Sequence, residues 1–291
     1  MGLLSGFEKY GITPRDEKSL YDKAAPAQEK LAQSERAGAV EETKTPERSE
    51  ADYLFDKVVR CPVCDKPFKT KLIKSNRLRR MEPDADLRPN YDGIDSIKYD
   101  ICACPNCGYT AMNRYFEHLS SLQIKLIKES VCANFKPTGS SLPDTFTYPE
   151  AIERYKASLA NTIVKHGKTS EIAYTCLKIS WLMRTYIPMM PEETEVEAAR
   201  KEEMIADQRE AYEQAYEGFI KAISNESYPI AGMDQSTLDF MLANMAMELG
   251  KIDVAAKLIS GILVSHTAPA KMKDKALDMK KDILAALKKG K

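Results

Sequence analysis

A chain of 291 residues with 43% hydrophobic and 30% charged residues carries enough apolar material for one large or two modest domains, and reads as a soluble globular protein. Its 43 Lys plus Arg balance 43 Asp plus Glu, so no global field draws the whole molecule to nucleic acid or anionic lipid. Any such attraction must be local.

The opening MGLLSGFEKYG has too short an apolar run for a signal peptide and no basic segment before it. Gly6 stands where a myristoylation pattern needs Ser or Thr. No later stretch approaches the roughly 18 uncharged apolar residues of a membrane span. The expected compartment is therefore the cytosol, where thiols stay reduced and clustered cysteines are read first as metal ligands. From about Thr13 to Glu50 the chain is charged and poor in large apolar residues, so it cannot bury enough surface to offset chain entropy. Residues 1–50 are expected to be a disordered or partly helical tail, with GLLSGFEKY either without a role or a short anchor against a partner or the body.

Residues 51–117 hold β-branched and aromatic patches broken by Pro, Gly, Asn and Asp, and FKTKLIKS and SIKYDICAC favour strands. Two CPxC motifs lie here. CPVC (61–64) and CPNC (104–107) share their spacing and a proline after the first cysteine, and each is followed by a residue that tolerates a left-handed backbone, Asp65 and Gly108. A zinc knuckle needs that turn, because it must aim two thiolates at one point. Two knuckles supply four sulfur ligands, so Cys61, Cys64, Cys104 and Cys107 are expected to hold one structural Zn²⁺ per chain in a closed tetrahedron.

Cys102 lies two residues before Cys104 and has no turn of its own. It is read as a small buried hydrophobe, with a spare-ligand or redox role as the alternative, since a period of two puts it on the same face as Cys104. A catalytic disulfide pair would open a helix, whereas CPVC runs into Asp65, Lys66 and Pro67.

The 39-residue spacer between Cys64 and Cys104 is longer than the roughly 15–20 residues of a compact ribbon, so an insert separates the knuckles. It begins with KPFKTKLIKSNRLRR, which has seven basic residues and no acidic one. Lys66 and Lys69 suit a charge-balancing role near zinc thiolates, and the alternation suits a solvated strand face. The functional alternative is a phosphate-contacting edge over Lys69 to Arg80, with Lys74, Arg77, Arg79 and Arg80 as contacts and Tyr91, Tyr99 and Tyr109 free to stack on bases. The acidic run that follows places Arg88 and Pro89 where a calcium loop needs an oxygen ligand and glycine, so turn formation and pairing with the basic strand are expected instead.

From about residue 118 the apolar period becomes helical. Leu119, Leu122, Leu126 and Ile127 mark one helix, and Ile152, Tyr155, Leu159 and Ile163 mark a second, closed by Gly167. SEIAYTCLKISWLMRTY makes a third, stopped by Pro188 and Pro191. A long charged helix follows, its polar first half facing solvent or a partner. Then one stripe runs Leu238, Met241, Leu242, Met245, Leu249 and the next Ile252, Ala255, Ala256, Ile259, Ile262, with Gly250 between them: an antiparallel hairpin. GKIDVAA resembles the middle of a tetratricopeptide repeat, although Asp239 and Thr267 depart from that motif, and pairs at 150–187 and 204–249 would supply the further units a stack needs. His118, His166 and His266 stand alone as surface or helix-terminal residues. Cys132, Cys176 and Trp181 read as core.

CPVC with FKTK and KSNRLRR, then DADLRPNYDGIDSIKYD leading into CPNCGYTA and RYFEHLS, resembles the bacterial domain of unknown function family 2225. That resemblance implies a zinc-ribbon-like amino half joined to a tetratricopeptide-like helical half, and no activity. The expected fold is α+β and mostly α: a tail over 1–50, a zinc-ribbon-like domain over 51–117 and a helical repeat domain over 118–291. The expected function is that of a cytosolic, non-enzymatic zinc protein that binds another protein through its helices. A nucleic-acid-binding factor and a thiol-based redox sensor are the alternatives.

Overall fold

The computed structural model describes residues 49–137 and 142–289; the expected tail and its GLLSGFEKY anchor lie outside the described residues apart from Ser49 and Glu50. Strands β1 (Leu54–Arg60) and β2 (Pro67–Ile73) pair antiparallel from Leu54↔Ile73 to Arg60↔Pro67. Strands β3 (Ile101–Ala103) and β4 (Thr110–Met112) form a second, separate antiparallel pair, Ile101↔Met112 to Ala103↔Thr110. Each hairpin is closed by one CPxC motif, so both knuckles sit at hairpin ends.

The insert between the hairpins is mostly irregular. SIKY, where alternation favours a strand, is instead a 3-10 turn over Ser96–Tyr99. The cause is local: the Asp95 carboxylate accepts the Ile97 N–H at 3.1 Å, and such side-chain capping competes with a strand ladder. The turn buries Ile97, Lys98 and Tyr99, with Ile97 in the main core and Tyr99 in a smaller one beside Phe146.

The helices follow: α1 (Ser121–Ile127), continued by a π-helical turn over Lys128–Cys132, then α2 (Tyr148–Val164), α3 (Thr169–Tyr186), α4 (Glu195–Asn225), α5 (Gln235–Glu248), α6 (Ile252–Val264) and α7 (Ala270–Lys289). Their starts are written in short-range chemistry. Ser120 with Gln123, Thr147 with Glu150 and Thr194 with Glu197 form reciprocal capping boxes that satisfy backbone donors with no partner inside the helix. Gly250, at φ 72°, turns the chain between α5 and α6, which pack on one another as a hairpin. In α4 the buried positions begin only at Asp207 and continue through Tyr212, Tyr216 and Phe219, so the first three turns face outward as the charge pattern implies.

Helix α2 packs on α3 and α3 on α4, while α6 sits between α5 and α7. One core runs through all of these helices and takes in Ile97, Ile101 and Met112, so the second hairpin is built onto the helical half. Each fully buried large apolar side chain contributes about 1.5–3 kcal/mol. Polar bonds complete the joint: Tyr155 Oη donates to the Ile97 carbonyl at 3.1 Å, Arg154 to the Ile101 carbonyl at 2.7 Å, and Lys178 pairs with Asp100.

The acidic part of the insert turns tightly, with Leu87 N–H donating to the Asp84 carbonyl and Leu87 at φ 65°. The acidic stretch pairs with the end of the basic one by backbone, since Asp92 N–H donates to the Arg79 carbonyl at 3.0 Å and Arg80 bridges to Tyr91, while Asp84 and Asp86 turn to helix α3. Asp86 is 3% exposed and accepts from Trp181 Nε1 at 2.7 Å and from Arg184 at 2.8 Å; Arg184 also reaches Asp84 at 2.7 Å. Trp181 is core, as expected, but its buried N–H needs an acceptor, and Asp86 is that acceptor. Among the described residues no helix is long and apolar enough to cross a membrane.

Candidate metal centre

The two knuckles repeat one another bond for bond. In the first, Cys61 N–H donates to the Lys66 carbonyl at 3.1 Å and Asp65 N–H donates to the Cys61 carbonyl at 2.9 Å. In the second, Cys104 N–H donates to the Tyr109 carbonyl at 2.9 Å and Gly108 N–H to the Cys104 carbonyl at 3.0 Å. The residue after each second cysteine is left-handed, Asp65 at φ 62° and Gly108 at φ 78°. Arg60 holds the Asp65 carboxylate at 2.5 and 2.6 Å. At Gly108 a Cβ would come within 2.5 Å of the Phe135 ring, so this position needs glycine for space as well as for backbone freedom.

The knuckles meet crosswise. Cys61 Sγ lies 3.7 Å from Cys107 Sγ and Cys64 Sγ lies 3.7 Å from Cys104 Sγ; the four sulfurs all fall within 4.8 Å of one another and could hold a metal ion. A tetrahedron with metal–sulfur bonds of about 2.3 Å has edges of roughly 3.8 Å, which the two 3.7 Å contacts match. Cys61, Cys104 and Cys107 are buried and Cys64 is half-buried. Val63, Phe68, Tyr109, Phe116, Ile127 and Val131 enclose the cluster in a core of its own.

Four thiols held this close cannot all ionise without a cation. Donation from the Cys107 and Cys61 thiols holds Cys104 well below the ordinary thiol range, and the Cys104 charge in turn pushes Cys61 and Cys107 up. A divalent cation removes the conflict by neutralising all four thiolates, with release of their protons. The Asn106 side-chain amide reaches Cys104 Sγ at 3.8 Å and supplies an outer donor to that sulfur.

Cys102 is 3% exposed, lies on β3 outside the quartet, and burial pushes its thiol up to about 12. It behaves as the small buried hydrophobe that its position implies. Cys102→Ser is expected to keep a full complement of metal, measured by elemental analysis of the purified variant; loss of metal would make it a ligand.

Cys176 is fully buried in α3, as expected of a core thiol. Cys132 is not a core thiol. It is only half-buried and packs against the cysteine core. Nothing in the spacing of the cysteines signals this, because the approach is made by the π-helical turn of residues 128–132.

The basic segment is largely engaged within the protein. Lys71 pairs with Asp56 at 2.7 Å across the first hairpin, and Lys74 and Arg77 donate to the Asp52 carbonyl at 3.1 and 2.9 Å. Arg79 is also partnered, and the backbone of Arg80 bridges to Tyr91. The three tyrosines are not free to stack on bases, which corrects that part of the nucleic-acid reading. Tyr99 and Tyr109 are 1% and 0% exposed, with their rings against Phe146 and Phe116, and Tyr91 packs half-buried into a small core with Tyr53 and Ile94. Aromatic residues in so short a domain are needed for its core. His118 and His266 are exposed, and His166 closes α2 at φ 51°.

A family model described as an uncharacterized protein conserved in bacteria (DUF2225) matches residues 54–284, from the first residue of β1 into α7 and across both knuckles. No curated protein and no solved structure matches the chain.

Proposed function

The chain belongs to the DUF2225 family of proteins conserved in bacteria, and on that premise we propose that it is a non-enzymatic zinc protein of the cytosol that binds another protein through its helical half. The observation that carries the zinc assignment is the quartet of sulfurs within 4.8 Å of one another, two of its edges at 3.7 Å. Four protein thiolates fill a tetrahedral zinc and leave no position for water or substrate, so the ion fastens two short hairpins and does no chemistry on a ligand. Two-stranded hairpins are marginal in water, and a zinc clasp is the usual remedy. Seven cysteines, none in a disulfide among the described residues, suit a reducing compartment.

The helices from α2 to α7 read as a degenerate tetratricopeptide-like stack, with α5 and α6 as its best-formed unit. A binding role is supported by the outer face of the terminal helix. Leu277 and Leu284, one heptad apart on α7, are 50% and 49% exposed beside Asp274, Asp278, Lys280 and Lys281, an apolar stripe with a charged rim. The double variant Leu277→Ser/Leu284→Ser should lose a partner that the native chain retains in affinity capture, with an unchanged circular dichroism spectrum. Retention of the same partners by the variant, or capture of none by the native chain, contradicts the binding role.

A further inference from the structure

Four sulfurs complete the proposed zinc site, yet a fifth thiol is delivered to its edge. The π-helical turn over Lys128–Cys132 seats Cys132 against the core that holds Cys107, and three residues later the Phe135 ring closes on Gly108, the residue after Cys107. The Phe135 contact thus anchors this turn beside the second knuckle, so the placement of Cys132 is set by packing. Cys132 is outside the mutually close quartet. It is half-buried, whereas Cys107 is 7% exposed. A thiol that is reachable from outside, uncommitted to the ion and packed against the core of its ligands has the placement of an entry point for oxidation. Single π-helical turns are frequent at functional sites.

We propose that Cys132 is the oxidant-sensing thiol of the centre and that it captures Cys107 as a disulfide, stripping one ligand from the zinc. The inference rests on the zinc reading above. The oxidant is a hydroperoxide. The Cys132 thiol takes the terminal oxygen, giving Cys132 sulfenic acid and the corresponding alcohol. The Cys107 thiolate then attacks the Cys132 sulfur, the S–S bond forms and hydroxide leaves. Two electrons pass from the two sulfurs to the hydroperoxide, and the ion is left with three sulfur ligands. Reduction by two equivalents of a monothiol restores both thiols and the fourth ligand.

The test uses the full zinc-loaded chain, limiting hydrogen peroxide, a colorimetric zinc chelator and non-reducing peptide mass spectrometry. Trypsin leaves Cys107 in residues 99–114 and, because Lys136 precedes a proline and is not cut, Cys132 in residues 129–154, so the expected product is a link between these two peptides that fragments to Cys107 and Cys132. Zinc release should accompany it and reverse with a monothiol. Cys132→Ser should carry as much zinc as the native chain before oxidation, form no such link, and lose the fast phase of zinc release. Three outcomes overturn the inference: a disulfide within one knuckle with Cys132 still free, unchanged release kinetics in Cys132→Ser, or loss of zinc from that variant before any oxidant is added. Zinc content before oxidation judges the zinc reading separately, since a metal-free native chain refutes that reading whichever disulfide forms.

Discussion

Serine in place of any one of Cys61, Cys64, Cys104 or Cys107 is expected to abolish stoichiometric zinc and to unfold the two hairpins. Binding to structural zinc sites is worth about 10–16 kcal/mol in isolated zinc-finger peptides, as large as the whole stability of an ordinary domain, about 5–15 kcal/mol. A hydroxyl is a poor substitute for a thiolate in that site, and three cysteines then remain crowded at the centre of a small core. The effect should be partial in space. Most of the core of helices α3 to α7 is made by the helices themselves and includes none of the four ligands, so the helical far-UV signal should persist while protease cleavage appears between residues 54 and 112. The pH dependence has a fixed sign: protons compete with the metal for sulfur, so zinc is retained as pH rises and lost as it falls. Proteolysis as resistant in a serine variant as in the native chain would contradict the clasp.

The second large effect is expected at the turn between α2 and α3. Lys165 and Glu171 are 3% and 5% exposed and pair at 2.7 Å, with the Thr162 hydroxyl donating to the same carboxylate at 3.1 Å. Glu171→Ala strands a buried ammonium without its counter-charge, a change that costs about 3–5 kcal/mol, or on the order of 10 °C in Tm. Replacing both partners, Lys165→Met with Glu171→Leu, removes the desolvation problem along with the bond. Thermal denaturation should therefore find the double variant more stable than Glu171→Ala alone. A single variant that melts with the native chain would show that the pair is open to water.

Both effects trace to features that were unequally legible in the sequence. The knuckles could be read because a CPxC motif specifies its own turn: the left-handed residue after the second cysteine, Asp65 or Gly108, is local chemistry. The α5–α6 hairpin was legible for a similar reason, since its two stripes and Gly250 all lie within one continuous stretch. The 3-10 turn at Ser96–Tyr99 was not, because a single capping carboxylate outweighed the alternation of SIKY. Partners far apart in sequence were invisible: Asp86 reaches Trp181 across 95 positions, and Cys132 approaches Cys107 through a turn whose π-helical geometry leaves no composition signal. The tyrosines misled for a physical reason. An aromatic ring near a basic run suits base stacking and suits a small core equally well, and only the packing of Tyr99 on Phe146 and Tyr109 on Phe116 separates the two.

X-ray absorption at the zinc edge, on the chain as purified, bears most directly on the account. One zinc per chain with four sulfur neighbours at about 2.3 Å is the predicted spectrum. Substoichiometric zinc, or a shell containing oxygen or nitrogen at about 2.0 Å, would contradict it.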